Sequence, residues 1–293
     1  MRILAVGIAT LDIVHLVEAY PAEDDEVRAL GQRIVRGGNA TNTLVVLSQL
    51  GHQCSWGGVL ADTHDSRYIL DDLANHNIDM SHVVCCKDGR TPLSCVVLSR
   101  QRGSRTIVHY RRLPEFSDKD FSGIDTDGFD WVHFEGRNVV QLGKMLQRMD
   151  GERNCSLEIE KPRQDIEALF SKAGLLMFSS GYARYRGFQN GAEFFSALGS
   201  QVRSGTLMTC AWGEQGAWGV DRSGAIHYSP AYLPHRTVDT LGAGDVFNAA
   251  IIHGVVSGDS MEKYLAAACR LAGEQCGRVG LSLRENGCPV DWK

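Results

Sequence analysis

The sequence predicts an α/β fold, a three-layer α/β/α arrangement of a mostly parallel sheet between helices, with a small second β-sheet beside it. Three observations carry this. Short runs that are apolar throughout recur along the chain, as strands buried on both faces require. Helix-like segments lie between them, and strands alternating with helices build a parallel sheet. Two segments interrupt that alternation with half-polar strands and turns.

The first strand is expected at 2–8, in Arg2-Ile3-Leu4-Ala5-Val6-Gly7-Ile8. It has the apolar density of a secretory leader, but Asp12, His15 and Glu18 follow closely and no small-residue cleavage site does. Further buried strands are expected at 53–59, 130–134, 155–159, 174–178 and 206–210, with helices near 39–50, 64–76, 138–149, 163–171 and 189–203. Residues 12–36 and 91–112 are the interruptions. Within them 30–35, 93–99 and 105–110 read as half-exposed antiparallel strands of a flap. Residues 216–229 read as a hairpin turning at Asp221-Arg222-Ser223-Gly224. Two closing helices are expected at 242–258 and 261–276, followed by a polar, peripheral tail over 282–293. No internal repeat or low-complexity linker divides the chain, so residues 1–293 are expected to form one domain.

Composition excludes several classes of function. A net charge of −5, without Lys/Arg runs interleaved with aromatics, argues against nucleic-acid and anionic-membrane partners. No span of about 20 apolar residues suits a membrane crossing. Nine cysteines are an odd number, and Cys95 and Cys210 sit in apolar runs. They read as reduced core residues of a cytoplasmic protein. There is no C-x-x-C, and Cys85-Cys86 are too close for a zinc site.

The chemistry concentrates in Asp239-Thr240-Leu241-Gly242-Ala243-Gly244-Asp245, directly before an apolar helical stretch. Gly242, Ala243 and Gly244 would form the first turn, where backbone N–H groups lack intrahelical partners and the helix dipole favours an anion. Asp245 beside that anion site would repel an anion unless it takes a proton from an attacking group. Anion site plus base suggests phosphoryl transfer to a hydroxyl. A second stretch, Arg36-Gly37-Gly38-Asn39-Ala40-Thr41-Asn42, precedes another helix. Its glycines allow close approach of a ligand, and its Asn side chains both donate and accept, which suits vicinal sugar hydroxyls; Asn39 could equally just cap the helix. There is no P-loop and no protein-kinase motif set.

Together the two stretches resemble the signatures of the PfkB family of carbohydrate kinases, with its ribokinase-like fold and β-sheet lid. The resemblance spans roughly residues 2–280. Further stretches, among them Tyr20-Pro21-Ala22-Glu23-Asp24, His133-Phe134-Glu135-Gly136-Arg137-Asn138 and Cys210-Ala211-Trp212-Gly213-Glu214-Gln215-Gly216, are similar to members of the family that phosphorylate ketohexoses. The resemblance implies ATP-dependent phosphorylation of a small sugar, a ketohexose at its C1 hydroxyl being the first expectation, with Mg²⁺ as cofactor; the alternatives are another PfkB-type sugar or nucleoside kinase and a sugar-binding protein without turnover. It implies that Asp12, Asp24, Gly38, Asn39, Asn42 and Glu135 bind the sugar. Asp245 is implied as the base, Gly242, Ala243 and Gly244 as the anion hole, and Arg105 as a lid residue reaching the phosphates. Gly213, Gly216, Cys269, Gly273 and Cys276 would line the nucleotide. Many relatives carry Asn-x-x-Glu after a middle strand; here that place reads Ser179-Ser180-Gly181-Tyr182, which leaves the magnesium ligands undefined, with Glu158 or Glu160 as candidates acting through water. A homodimer paired through the lid is expected as well, because apolar β surface beside a domain needs a cover.

Overall fold

The structure is a computed structural model that describes residues 1–149, 154–285 and 288–289. Its first half runs β1 (Arg2–Val6), β2 (Thr10–Val17), β3 (Gly31–Gly37), α1 (Asn39–Gln49), β4 (Gln53–Ala61), α2 (His64–Asn75), β5 (Val83–Cys86), β6 (Leu93–Ser99), β7 (Arg105–Tyr110), the short α3 (Asp118–Phe121), β8 (Trp131–Glu135) and α4 (Val139–Gln147). The second half runs β9 (Cys155–Ile159), β10 (Leu175–Ser179), α5 (Ser180–Tyr185), α6 (Gly191–Leu198), β11 (Leu207–Ala211), β12 (Ala217–Val220), β13 (Ile226–Ser229), α7 (Ala243–Val256) and α8 (Met261–Cys276).

Nine strands form one sheet in the order β13-β12-β11-β10-β9-β8-β1-β4-β5. Pairing is parallel from β11 to β5, and β12 and β13 add an antiparallel hairpin at one edge. The period-2 geometry of a strand sorts β1 between two cores. Ile3 and Ala5 join Trp56, Leu44, Leu47 and Ile251 beneath α1, α7 and α8. Leu4 and Val6 join Phe134, Leu157, Phe178 and Phe194 beneath α4 and α6. Helices therefore cover both faces of a mostly parallel sheet, as the unbroken apolar strands require. Helices α1 and α7 lack a polar face because each lies between the sheet and another helix: 40–47 of α1 and 245–252 of α7 are buried throughout.

The second sheet has the order β3-β2-β6-β7, antiparallel except for β2 with β6. Strand β6 alternates in burial, whereas every residue of β7 is exposed. The chain leaves the large sheet after Val6 and returns through Gly37 and Gly38. Gly38 holds φ at 105°, and a Cβ there would stand 2.3 Å from the Ile8 carbonyl oxygen, so no other residue fits the crossing.

Several expectations need correction. The first lid strand begins at Thr10 rather than at 12. Strand β5 was not anticipated, because Val83-Val84-Cys85-Cys86 is short and pairs only at the sheet edge. The helix expected at 163–171 is a 3₁₀ segment, Ile166–Lys172, delayed by Asp165 at φ 61°. The one expected at 189–203 is limited to Gly191–Leu198 by Gly199, and α5 precedes it. The expected tail, 282–293, lies partly outside the described residues. Its start is not peripheral: Leu283 is buried, and its N–H donates to Gln49 Oε1 at 2.8 Å while Gln49 Nε2 donates to the Leu281 carbonyl at 2.8 Å. No described helix is long and apolar enough to cross a membrane, and Cys54, Cys85, Cys86, Cys95, Cys155, Cys210, Cys269 and Cys276 are free thiols.

Helix α8 packs along α7 so closely that a Cβ on Gly254 would lie 2.1 Å from Tyr264 Cβ. Gly254→Ala should therefore destabilise the protein by about 1–3 kcal/mol through overpacking, although alanine is the better helix former. Urea denaturation of the variant against the parent checks this; a stabilised variant would show that the two helices can part without cost.

Candidate active site

A cavity of about 610 Å³ opens at the carboxyl ends of the parallel strands, where open α/β sheets leave room for ligands. The lid forms one wall and the starts of α1 and α7 form another. Both helices begin on a glycine, Gly38 and Gly242, with no side-chain cap, and both first turns line the cavity, where a helix N-terminus favours an anion. Gly242 is left-handed at φ 78°, and a Cβ on it would meet Leu281 Cδ2 at 2.6 Å. The turn is thus cast in a shape that only glycine allows.

Of the residues singled out in the sequence, Asp12, Gly38, Asn39, Asn42, Arg105, Glu135, Glu158, Glu160, Gly213, Gly216, Gly242, Ala243, Gly244, Asp245, Cys269, Gly273 and Cys276 all line this cavity. Asp24 does not. It lies exposed at φ 64° in the loop between β2 and β3, outside the cavity of its own chain. Asn39 does not cap α1, since Gly38 holds that position. Its Nδ2 instead crosses to Glu158 Oε1 at 3.2 Å and Glu160 Oε2 at 3.3 Å. Asp12 accepts from Thr10 Oγ1 at 2.7 Å, and a Cβ on Gly37 would stand 2.1 Å from its carboxylate. Glu135 is engaged on both oxygens, by the Ile8 N–H at 2.9 Å and by Arg137 at 3.4 Å. Arg137 also reaches Glu115.

Asp245 is buried at the start of α7 and accepts from Asn42 Nδ2 at 2.6 Å. Glu158, at the end of β9, accepts from Asn39 and from Asn248 Nδ2 at 2.9 Å, and its Oε2 is buried without a partner. Burial raises the pKa of Asp245; Glu160 and Glu135 add to the rise, while the Asn42 hydrogen bond and Arg36 oppose it. Burial likewise lifts Glu158 well above the carboxylate range, reinforced by the charges of Asp245, Glu135 and Glu160. A site this rich in hard oxygen donors is short of positive charge. Among the described residues no three His, Cys, Asp or Glu side chains form a metal cage. The carboxylates of Glu158 and Glu160 are hard oxygen donors that could hold a magnesium ion arriving with phosphates, and Glu158 Oε2 has no partner.

The lid reaches the anion turn through two arginines. Arg105 donates to Thr240 Oγ1 at 2.7 Å and to the Thr240 carbonyl at 3.2 Å. Arg33 pairs with the buried Asp239, which also accepts from the Leu241 N–H at 2.9 Å. At the far end Gly273 lets the chain cross α8, since a Cβ would lie 2.0 Å from the Tyr232 carbonyl oxygen. The Cys276 carbonyl accepts from the Val238 and Asp239 N–H groups at 2.7 and 3.2 Å. Burial raises the thiol pKa of both Cys269 and Cys276, so they act as small apolar walls.

Two site residues escaped the sequence reading. Asn248 sits three residues after Asp245 on the same helix face, a polar position inside an apolar run, which is a legible signal. Arg36 gave no signal beyond its place before Gly37, because its contacts to Thr41, Asn42 and Asp72 depend on how β3, α1 and α2 pack.

The comparisons agree with this geometry. Residues 1–155 and 206–286 match the model of the pfkB family carbohydrate kinase. The chain is 42% identical to ketohexokinase of Mus musculus over 290 residues, covering 95% of this chain and 97% of that one. It is 25% identical to fructosamine kinase FrlD of Bacillus subtilis, covering 96% and 92%. The structure of Arabidopsis thaliana ribokinase complexed with ribose and ATP superposes with a TM-score of 0.76 at 19% identity, covering 95% of this chain and 93% of that one. With its two glycine-started helices and its ribokinase-like sheet and lid, the chain belongs to the pfkB family of carbohydrate kinases and is a sugar kinase.

Proposed function

We propose that the protein transfers the γ-phosphoryl group of ATP to the C1 hydroxyl of a ketohexose, fructose being the first candidate. The observation that carries this is the Asp245 carboxylate, buried at the start of α7 beside the Gly242–Gly244 turn and facing the same cavity as Asp12 and Asn39. Ketohexokinase, at 42% identity, supports the substrate class.

In this reading the sugar lies against Asp12, Gly38 and Asn39, with its primary alcohol at Asp245. A free Asp has a pKa of about 3.9, too weak to ionise an alcohol outright. Burial makes Asp245 a stronger base, and the proton moves late, as the loose transition state draws the alcohol oxygen toward phosphorus. The backbone N–H groups of Gly242, Ala243 and Gly244 take the charge developing on the phosphate, aided by Arg105. Magnesium would neutralise phosphate charge, with Glu158 and Glu160 as its nearest carboxylates on the protein. Gly213, Gly216, Cys269, Gly273 and Cys276 line the end left for adenosine. Residues 1–293 act as one unit in this reading, the second sheet serving as a lid that excludes water. Free thiols support a cytoplasmic location.

A homodimer through the lid is part of the proposal. Ile34, Val108 and Tyr110 expose apolar surface on β3 and β7, which a second lid would cover.

Asp245→Asn should lower kcat by about 10²–10⁴-fold with ATP binding retained, read as sugar-dependent ADP release across a panel of ketoses, aldoses and nucleosides. Phosphate found by NMR on a carbon other than C1, or an aldose or nucleoside preferred over fructose, would redirect the substrate assignment. The same variant should be more heat-stable than the parent at neutral pH. The folded-state pKa of Asp245 is raised, so its stabilising contribution is complete below about pH 4 and falls as pH rises through that pKa. The Tm gap should accordingly be negligible near pH 4 and widen upward; a gap independent of pH would contradict the buried-charge account. Light scattering at micromolar concentration should give a dimer, and Val108→Lys should weaken it.

A further inference from the structure

Arg36 lies at the end of β3 with its side chain only 3% exposed, and it does not line the cavity. Its Nε donates to Asp72 Oδ2 on α2 at 2.6 Å. Its Nη1 donates to Asn42 Oδ1 at 2.6 Å and to Thr41 Oγ1 at 3.1 Å. Asn42 Nδ2 then donates to Asp245 Oδ2 at 2.6 Å. An amide can present either end, but a guanidinium has no acceptor. With Arg36 in place, the oxygen of Asn42 must face Arg36 and its NH₂ must face Asp245.

We infer that Arg36 is a positioning residue that fixes the polarity of the Asn42 amide and thereby favours the ionised, proton-accepting form of Asp245. Without Arg36 the amide is free to turn its oxygen toward Asp245. That orientation rewards a protonated carboxyl, which donates to it, and penalises the ionised one. The surroundings make this matter. Glu135 and Glu160 face Asp245 from β8 and the segment after β9, with Glu158 from β9, and all disfavour its charge. Asp12 and Arg105 enter the same cavity from β2 and β7. Against the acids stand the Asn42 donor and, behind it, Arg36. Asn42 is thus engaged at its oxygen and through one of its two N–H donors, which leaves the other for the sugar contact expected of it.

The inference rests on the reading of Asp245 as base, and the test separates the two. The ionisation of Asp245 is followed in ligand-free protein by ¹³C NMR of labelled Asp carboxyls, its resonance assigned with Asp245→Asn. Turnover of D-fructose with MgATP is followed in parallel. In Arg36→Met the Asp245 midpoint should move to higher pH. The acidic limb of kcat/KM should move with it, and kcat near neutrality should fall on the order of 10²-fold, as misplaced reacting groups cost, with KM for ATP unchanged. Arg36→Lys, which keeps one donor and the charge, should recover part of each change. Arg36→Gln, which can accept as well as donate, carries the test if Arg36→Met does not fold. Asn42→Asp retains the partner of Arg36 but removes the donor to Asp245, and should also raise the midpoint. An unmoved midpoint in Arg36→Met or Arg36→Gln overturns the inference, whatever happens to kcat. A raised midpoint with Asp245→Asn still active upholds the positioning role and overturns the base assignment instead.

Discussion

A carboxylate kept out of water at the start of a buried helix is the constraint on which the rest of the site depends. Left alone, Asp245 would take up a proton and become useless as a base, because burial disfavours its charge. Its place at the head of α7 offsets part of that cost, since the first turn of a helix favours negative charge. The Asn42 donor offsets more. In the proposed reaction the same first turn also receives phosphate, so the helix end would serve two anions, one fixed in the chain and one brought by the nucleotide. That double use explains why Gly242, with a backbone shape no other residue adopts without strain, sits beside an acid that would otherwise belong on the surface.

Carboxylates accumulate around this point for a related reason. Asp12, Glu135, Glu158, Glu160 and Asp245 share one cavity with few cations. In the free protein the deficit is met by raised pKa values at Glu135, Glu158 and Asp245, each caused first by burial. A cation entering with nucleotide phosphates would relieve the same deficit, which in the proposed reaction would tie occupancy by nucleotide to ionisation of Asp245. Asn39 and Asn248, neutral donors directed at Glu158, hold the cluster without adding a fixed charge that would compete with such a cation.

Much of this was legible in the sequence, and what was not has a common cause. The Gly-Ala-Gly-Asp turn could be read because its chemistry is local: small residues, a helix start and an acid within one turn. The large sheet could be read because strands buried on both faces leave unbroken apolar runs, and α8 was bounded correctly at 261–276. Arg36 was not legible, since its role is defined by Asp72 and by a carboxylate 203 residues beyond its amide partner. Glu158 and Asn248 meet across 90 residues, and only the second left a periodic trace. Strand β5 was too short to register. Asp24, an acid in a resembling stretch expected to bind the sugar, lies on a loop that does not line the cavity of its own chain.

Leu281 occupies the space in which Gly242 would need a Cβ, and Gln49 at the end of α1 grips the chain on either side of it, at Leu281 and Leu283. The Gly242 turn therefore rests on a pad supplied by the segment after α8. Mechanically 281–283 is its floor, clamped to the end of α1. Strain applied there, by a fused partner or a nick, would be delivered to the turn proposed to hold phosphate.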